Sequence, residues 1–93
     1  MIRSFKSKEA ERVFQRSFSR KRPHDIQTAA YRKLALLHSA RALKDLLLPP
    51  SNKLEKLQGE RQGPYSIRIN DQWRICFIWQ DGDAYDVEIV DYH

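Results

Sequence analysis

Three stretches in the second half of the chain place apolar side chains at every second position. They cover residues 65–69, 73–79 and 85–90. A period of two is the pattern of β-strands that have one face in a core and the other face outside it. Short polar segments at residues 70–72 and 80–83 separate the three stretches and are typical of turns. The pattern therefore predicts three sequential antiparallel strands, a β-meander.

The odd-numbered residues supply the apolar face in all three stretches. Paired residues on neighbouring antiparallel strands share a face, so a continuous apolar face requires an odd number of residues in each loop. Three-residue loops at 70–72 and 81–83 satisfy this condition, and they would pair Trp73 with Asp91. On the opposite face, the same register places Arg68 beside Arg74.

The first half of the chain has the periodicity of helices. Residues 2–5 alternate and predict a short first strand, and Ser7 is a typical N-cap for a helix that follows it. A second helix is expected from about Pro23 to Arg41. The apolar stripes of the two helices contain Ala10, Val13, Phe14 and Phe18, and Ile26, Ala30, Leu34 and Leu37, respectively.

The transition from helices to strands lies at Pro49 and Pro50, which no helix can pass. Residues 42–48 add at most one further turn before the prolines, and residues 52–57 predict a short additional strand. Two helices packed on one face of an antiparallel sheet form an α+β sandwich of two layers. A chain of 93 residues is expected to form one domain over residues 1–93.

The charge balance points to an anionic partner. Seventeen Lys and Arg residues outnumber twelve Asp and Glu residues, which gives a net charge of +5. Such an excess favours nucleic acid or an acidic protein segment, and a merely soluble basic surface is the alternative. The lone Cys76 excludes an internal disulfide and is expected to be a buried structural thiol. No apolar run approaches membrane-spanning length, so we expect a cytoplasmic protein without a membrane partner.

Arg68 and Arg74 on the open face are the first candidate site. Two arginines on adjacent strands repel each other unless an anion lies between them, and the guanidinium fork suits phosphate. Surface salt bridges to Asp86 and Glu88 are the alternative, and charge alone does not decide between the two. Three further cations lie nearby in sequence, namely Lys53, Lys56 and Arg61.

The sequence carries no metal-binding or phosphate-loop motif. There is no CxxC, HExxH or GxxxxGK[ST] pattern, and the three histidines are far apart, at His24, His38 and His93. A metal site is therefore improbable, and no cofactor is expected.

The chain ends with Asp91, Tyr92 and His93, three side chains with useful chemistry. A histidine moves protons near neutral pH, an aspartate orients it, and a tyrosine stacks on a base or donates to phosphate. Strand alternation sends Asp91 and His93 to the helix side of the sheet, away from Arg74. Only a bulge or an unpaired overhang brings them together, so a frayed end is at least as probable as a site on these grounds.

The last forty residues contain a series of motifs at characteristic spacing. These are the stretches LQGER, GPYSI, NDQWRI and DGDAY, followed by the terminal DYH. Their order resembles the HigB branch of the RelE-like toxins of bacterial toxin–antitoxin systems. The opening IRSFKSK and the helices after it look like the first half of the same family.

The resemblance implies a RelE-like microbial ribonuclease fold, in which the helices cover one side of a curved antiparallel sheet. It implies a toxin that cleaves mRNA in the ribosomal A site without a metal, by attack of a ribose 2′-OH, and thereby inhibits translation and growth. The implied partners are the ribosome with its mRNA and a cognate helix-turn-helix antitoxin of the HigA type. Operator DNA would be bound only through that antitoxin.

The resemblance also assigns roles to individual residues. Arg74 would hold the scissile phosphate, Arg61 would hold it as well or brace the site, and Arg68 is a candidate RNA contact, as are Lys53 and Lys56. His93 would transfer a proton, Asp91 would orient it or act as a base, and Tyr92 would contact a nucleotide.

The chain departs from the family pattern at two positions. Gln58 stands where relatives commonly have Lys, and Glu55 stands where some have His. These departures keep a second hypothesis open, a weakly active or degenerate toxin that binds RNA or antitoxin without catalysis. A third hypothesis is an interaction domain whose basic face binds an acidic helix.

Overall fold

The computed structural model describes residues 1–17, 24–57 and 64–91. Two α-helices, α1 (Lys8–Phe14) and α2 (His24–Ser39), are followed by 3₁₀ turns at Leu43–Leu47 and Pro50–Asn52. Four strands come next, namely β1 (Glu55–Lys56), β2 (Tyr65–Arg68), β3 (Trp73–Gln80) and β4 (Asp83–Asp91). Within these described ranges, no helix combines the length and the apolar character needed to cross a membrane.

The strands form one antiparallel sheet in the order β1-β2-β3-β4, so the predicted meander is confirmed. Leu34 and Leu37 of α2 are fully buried in one core cluster with Ile67, Ile75 and Phe77 of the sheet. Burial of such side chains stabilises the fold by about 1.5–3 kcal/mol each. The predicted α+β class, with helices against the odd-numbered face of the sheet, is confirmed.

The first residues of the chain lie parallel to β4. Ile2 and Phe5 form isolated bridges with Ala84 and Val87, so the predicted first strand exists as two single bridges. The chain then enters α1, where the Ser7 hydroxyl accepts a hydrogen bond from the N–H of Ala10 at 3.2 Å. The predicted N-cap is therefore confirmed.

The loop between β2 and β3 has the predicted length. The N–H of Ile69 donates to the carbonyl of Trp73 at 2.9 Å, which leaves residues 70–72 as a three-residue loop. The Asn70 side-chain oxygen accepts from the N–H groups of Gln72 and Trp73 at 2.9 and 2.8 Å. An asparagine that replaces backbone acceptors in this way is a common means of closing a turn.

The loop between β3 and β4 is shorter than predicted. Gln80 pairs directly with Asp83, so the loop contains only Asp81 and Gly82. Both residues have positive φ, 53° and 82°, as a tight two-residue hairpin turn with an Asp-Gly sequence requires. The prediction of a three-residue loop at 81–83 was wrong.

A β-bulge in β4 restores the register that the shorter loop would have shifted. It lies opposite the Cys76–Ile78 segment of β3, and its residue Asp86 has a φ of 51°. Beyond the bulge, Trp73 pairs with Asp91, as predicted.

Before the bulge, the two faces of β4 are exchanged. Ala84 pairs with Trp79 and is fully buried, whereas Tyr85 pairs with Ile78 on the other face of the sheet. The expectation that odd-numbered residues form the apolar face throughout was therefore wrong at Tyr85.

The N-terminal segment holds the bulge in place through Ser4. The N–H of Asp86 donates to the Ser4 hydroxyl at 2.9 Å, and the N–H of Val87 donates to the Ser4 carbonyl at 3.1 Å. A bulge leaves backbone groups without ladder partners. Ser4 supplies acceptors for two of them.

Candidate functional site

Arg68 of β2 and Arg74 of β3 are direct cross-strand partners. Directly opposite residues share a face, and neither arginine lies on the face that packs against the helices. The predicted juxtaposition of two guanidinium-bearing side chains on the open face is confirmed. This pair of arginines is the centre of the candidate site.

Arg74 is held tightly, and only 7% of it is exposed. Its Nε donates to the Ser66 hydroxyl at 2.8 Å, and its Nη2 donates to the Lys53 carbonyl at 2.6 Å. Nη2 also lies 3.4 Å from the Ser66 carbonyl oxygen. The side chain therefore lies diagonally across β2 toward the segment that precedes β1.

The position of the Lys53 carbonyl depends on the turn before it. Asn52 is fully buried, and its side-chain amide donates to the carbonyls of Leu46 and Leu48, each at 3.2 Å. The ammonium group of Lys33 on α2 donates to the side-chain oxygen of the same Asn52. These bonds fix the turn, and Lys53 leaves it with a left-handed φ of 44°.

Glu55 brings a carboxylate to Arg74. It pairs with Ser66 in the sheet, and its Oε2 lies 3.9 Å from Nη2 of Arg74. The side chain is 53% exposed, so the attraction is partly screened by water. In the sequence, Glu55 stands out only as a departure from the family pattern, and nothing local indicates its contact with Arg74.

Ion pairs on the open face involve both arginines and Glu88. Arg68 pairs with Asp71 in the neighbouring loop, and Glu88 pairs with Lys6 at 3.4 Å. Asp71 and Glu55 are thus carboxylate partners of the two arginines, beyond the acids that the charge pattern suggested.

Lys33 adds a cation that the sequence did not indicate. Burial lowers the pKa of its ammonium group, and the positive charge of Arg68 lowers it further. The bond to Asn52 places this cation of helix α2 beside the turn that precedes β1. A lysine in the middle of a helix has no sequence signal that separates it from a solvated one.

Asp91 lies on the face of the sheet opposite to Arg74. Asp91 pairs with Trp73, and its Oδ2 accepts a hydrogen bond from Gln72 at 3.2 Å. Arg74 pairs with Val90, so strand alternation directs Asp91 and Arg74 to opposite faces. The bulge at Asp86 lies nearer the hairpin turn and does not alter this relation.

The remaining predicted site residues are distributed as follows. Lys56 pairs with Tyr65 at the edge of the sheet, so it lies on the face opposite to Arg74. Lys53 contributes its backbone carbonyl to the contact with Arg74. The side chain of Lys53 is exposed. Arg61, Gln58, Tyr92 and His93 lie outside the described residues.

A cavity of about 220 Å³ opens beside Cys76. Its lining includes Leu57, Pro64, Ile78, Glu88 and Lys6. Cys76 lines this cavity and is half-buried, so the expected buried structural thiol is only partly shielded from solvent. Burial raises the pKa of the thiol, as does the carboxylate of Glu88, so the thiol remains a weak nucleophile.

The described residues define what the arrangement is chemically able to do. A fixed guanidinium beside a second one provides several N–H donors and positive charge for a phosphate group. Over residues 1–17, 24–57 and 64–91, no cluster of three or more His, Cys, Asp or Glu side chains has the arrangement of a metal site. The two guanidinium groups of Arg68 and Arg74 are able to attract an anionic group such as phosphate.

The family of the chain is shown by its sequence match. A family model described as the RelE-like toxin of the type II toxin–antitoxin system HigB matches residues 3–93. The chain belongs to this HigB-like family of RelE-like toxins. The resemblance seen in the motifs is thereby confirmed, and a type II toxin implies an antitoxin partner.

Individual relatives agree with the family match. The chain is 47% identical to Toxin HigB-1 of Vibrio cholerae over 62 residues, which are 67% of this chain and 65% of that protein. It is 32% identical to Endoribonuclease HigB of Proteus vulgaris over 93 residues, with 100% of both chains covered. The matched region thus spans slightly less than two thirds of the Vibrio protein and all of the Proteus protein.

Proposed function

We propose that this chain is a ribosome-dependent endoribonuclease that cleaves mRNA in the ribosomal A site and thereby inhibits translation and growth. The observation that carries the proposal is the fixed guanidinium of Arg74 beside Arg68 on the open face of a HigB-like chain. The similarity to Endoribonuclease HigB of Proteus vulgaris, which extends over the whole length of both proteins, supports it.

The proposed reaction is an internal phosphoryl transfer within the RNA. The ribose 2′-oxygen gives its proton to a solvent water and attacks the adjacent phosphorus, the bond to the 5′-oxygen breaks, and that oxygen takes a proton from His93. The products are a 2′,3′-cyclic phosphate and a 5′-hydroxyl end. Arg74 stabilises the charge that develops on the phosphoryl oxygens, and it is already oriented before the substrate arrives.

The proton-transfer groups are assigned from the family motifs. We assign His93 as the proton donor to the leaving oxygen and Tyr92 as a nucleotide contact. Asp91 is assigned as the residue that orients the tail, because its strand position directs it away from Arg74. Arg61 is assigned to the phosphate as well.

The proposed partners follow from the same family and from the charge. A helix-turn-helix antitoxin of the HigA type would bind the toxin, and operator DNA would be reached only through the antitoxin. The net charge of +5 suits docking on ribosomal RNA in the cytoplasm, with an affinity that falls as salt rises.

One observation favours a second candidate function. The carboxylate of Glu55 lies 3.9 Å from Arg74 Nη2, where it opposes the approach of a phosphate. Gln58, in addition, supplies no cation where relatives commonly have Lys. The second candidate is therefore a weakly active toxin that binds RNA or antitoxin without efficient cleavage.

Mapping the 5′ ends of mRNA after induction of the chain in cells tests the first proposal. We expect new 5′-hydroxyl ends at codons in the A site and arrest of growth, and His93→Ala should abolish both. Persistent arrest in a chain with both His93→Ala and Arg74→Ala would overturn the mechanism. The absence of cleavage by the wild-type chain, with retained RNA binding, would establish the second candidate.

A further inference from the structure

Ser66 is fully buried, although it lies on the open face of the sheet. A buried hydroxyl in a strand needs a hydrogen-bond partner, and here the partner is Nε of Arg74 at 2.8 Å. Arg74 is itself only 7% exposed, so both ends of this bond are shielded from water. A hydrogen bond to a charged group in such surroundings is stronger than a neutral one.

The place of Ser66 in the sheet determines which part of Arg74 it holds. Ser66 pairs with Cys76, so Arg74 is its diagonal neighbour on β3. Ser66 accepts from Nε, whereas the Lys53 carbonyl accepts from Nη2. Bonds to two different nitrogens fix the direction of the side chain and the rotation of its planar group.

We infer that Ser66 is a positioning residue, whose hydroxyl orients the Arg74 guanidinium toward the scissile phosphate. The inference rests on the proposed function, because it concerns the same reaction. Ser66 does not contact the reacting atoms in this scheme. It reduces the freedom of Arg74 before the substrate binds, so that the guanidinium stabilises the transition state without reorganisation.

Three substitutions at Ser66 distinguish the effect of losing the hydroxyl from the effect of changing the side-chain volume. Ser66→Ala removes the acceptor and some volume, Ser66→Cys nearly keeps the volume but supplies only a weak acceptor, and Ser66→Thr keeps the hydroxyl. We expect cleavage per folded molecule to fall roughly 10- to 100-fold in the Ala and Cys variants. The loss should appear in kcat rather than in KM, and the Thr variant should stay within about threefold of wild type.

A matched control is available at Ser4, whose hydroxyl accepts from the N–H of Asp86 in the bulge of β4. Ser4→Ala removes a serine acceptor on an element that is remote from β2. It should lower the free energy of unfolding and leave kcat per folded molecule unchanged. A fall in kcat for Ser4→Ala equal to that for Ser66→Ala would show that general destabilisation explains both.

A double-substitution cycle tests whether Ser66 acts through Arg74. Lysine carries no guanidinium Nε–H, so an Arg74→Lys chain has already lost the bond to the Ser66 hydroxyl. We expect Ser66→Ala to have almost no further effect on cleavage in the Arg74→Lys background. An equal loss in both backgrounds would overturn the inference, because Ser66 would then act independently of Arg74.

Solvent exchange of the Arg74 Nε–H, measured by NMR, tests the role of Ser66 without depending on RNA cleavage. The ¹⁵Nε–H signal of Arg74 should exchange slowly with solvent in the wild-type, Ser66→Thr and Ser4→Ala chains, and rapidly in the Ser66→Ala chain. Slow exchange in Ser66→Ala would overturn the positioning role, whether or not the protein cleaves RNA. Inactivity of the wild-type chain with normal exchange behaviour would instead refute only the proposed function.

Discussion

Arg68 and Arg74 face each other on adjacent strands, yet their surroundings differ. Arg74 is bound by a buried hydroxyl and by a backbone carbonyl, and it has a carboxylate within 3.9 Å. Arg68 pairs with Asp71, whose side chain is 99% exposed. Exposed ion pairs contribute little and are easily exchanged for other partners. One arginine is therefore held in a single orientation, and the other is able to adjust to a bound anion.

The largest expected effect is on mRNA cleavage, which should fall further when Arg74 is replaced than when Arg68 is replaced. Arg74→Ala should reduce mRNA cleavage roughly 10²- to 10³-fold, because it removes a preoriented donor to the transition state. Arg68→Ala should reduce cleavage by about tenfold or less, because Arg68 supplies adjustable charge. Single-turnover cleavage on programmed ribosomes measures both. Equal losses would show that orientation has no part in the difference.

The second effect is on the free energy of unfolding, which should depend more on Arg74 than on Arg68. Arg74→Ala leaves the Ser66 hydroxyl and the Lys53 carbonyl without their donor, and we expect a loss of about 1–3 kcal/mol in the free energy of unfolding. Arg68→Ala should change it by about 0.5 kcal/mol or less. Urea unfolding of the antitoxin-free chain measures this difference. An unchanged midpoint for Arg74→Ala would contradict the tight anchoring.

A smaller effect concerns the carboxylates beside the arginines. Glu55→Gln should tighten binding of a short RNA about two- to fivefold at low salt, because it removes a charge that opposes phosphate near Arg74. Asp71→Asn, the matched change beside Arg68, should have a smaller effect, since its exposed charge is better screened. Fluorescence anisotropy at two salt concentrations measures both. A larger effect of Asp71→Asn would reverse the assignment of the site to Arg74.

The smallest effect extends the comparison to an ion pair at the opposite edge of the sheet. The hydrogen bond from Arg3 lowers the pKa of Asp83, with a further contribution from the α-amino group of Met1. Because the folded-state pKa is lowered, the stabilisation is present above the unfolded value and is lost as the pH falls through the folded value.

Asp83→Asn should therefore be less stable than wild type at pH 7, and the difference should shrink below about pH 4. Thermal unfolding across this pH range measures it. Asp81→Asn in the same turn is the control, because it changes one charge outside the ion pair. A difference for Asp83→Asn that does not depend on pH would contradict the origin assigned here.

The strand pattern predicted the meander and the juxtaposition of Arg68 with Arg74. It also predicted the pairing of Trp73 with Asp91, although one of the two loops has a different length. A three-residue loop, and a two-residue loop followed by a bulge, each place one extra residue between Gln80 and the far end of β4. Parity shows that an extra residue is needed but not where it lies. The positive φ of Asp86 that locates it has no signature in an alternating pattern.

The supporting parts of the site were harder to predict than its arginines. Ser66 looks like an outward-facing polar residue in an amphipathic strand, and nothing local indicates that a side chain from β3 covers it. The Lys53 carbonyl is a backbone group, and the turn that positions it is fixed by bonds of Asn52 to Leu46 and Leu48 and by the more distant Lys33. The role of Asp91 stays a prediction, because its strand position alone does not bring it to Arg74.

The short N-terminal stretch beside β4 also limits how another protein can attach. Its carbonyls at Met1 and Ser4 accept from Ala84 and Val87, and Ala84 and Val87 in turn accept from Arg3 and Lys6. The outer edge of β4 is thus occupied at the positions where a strand of a second chain would dock. A partner that bound by β-strand addition at residues 84–87 would first have to displace residues 1–6 of the chain from this edge.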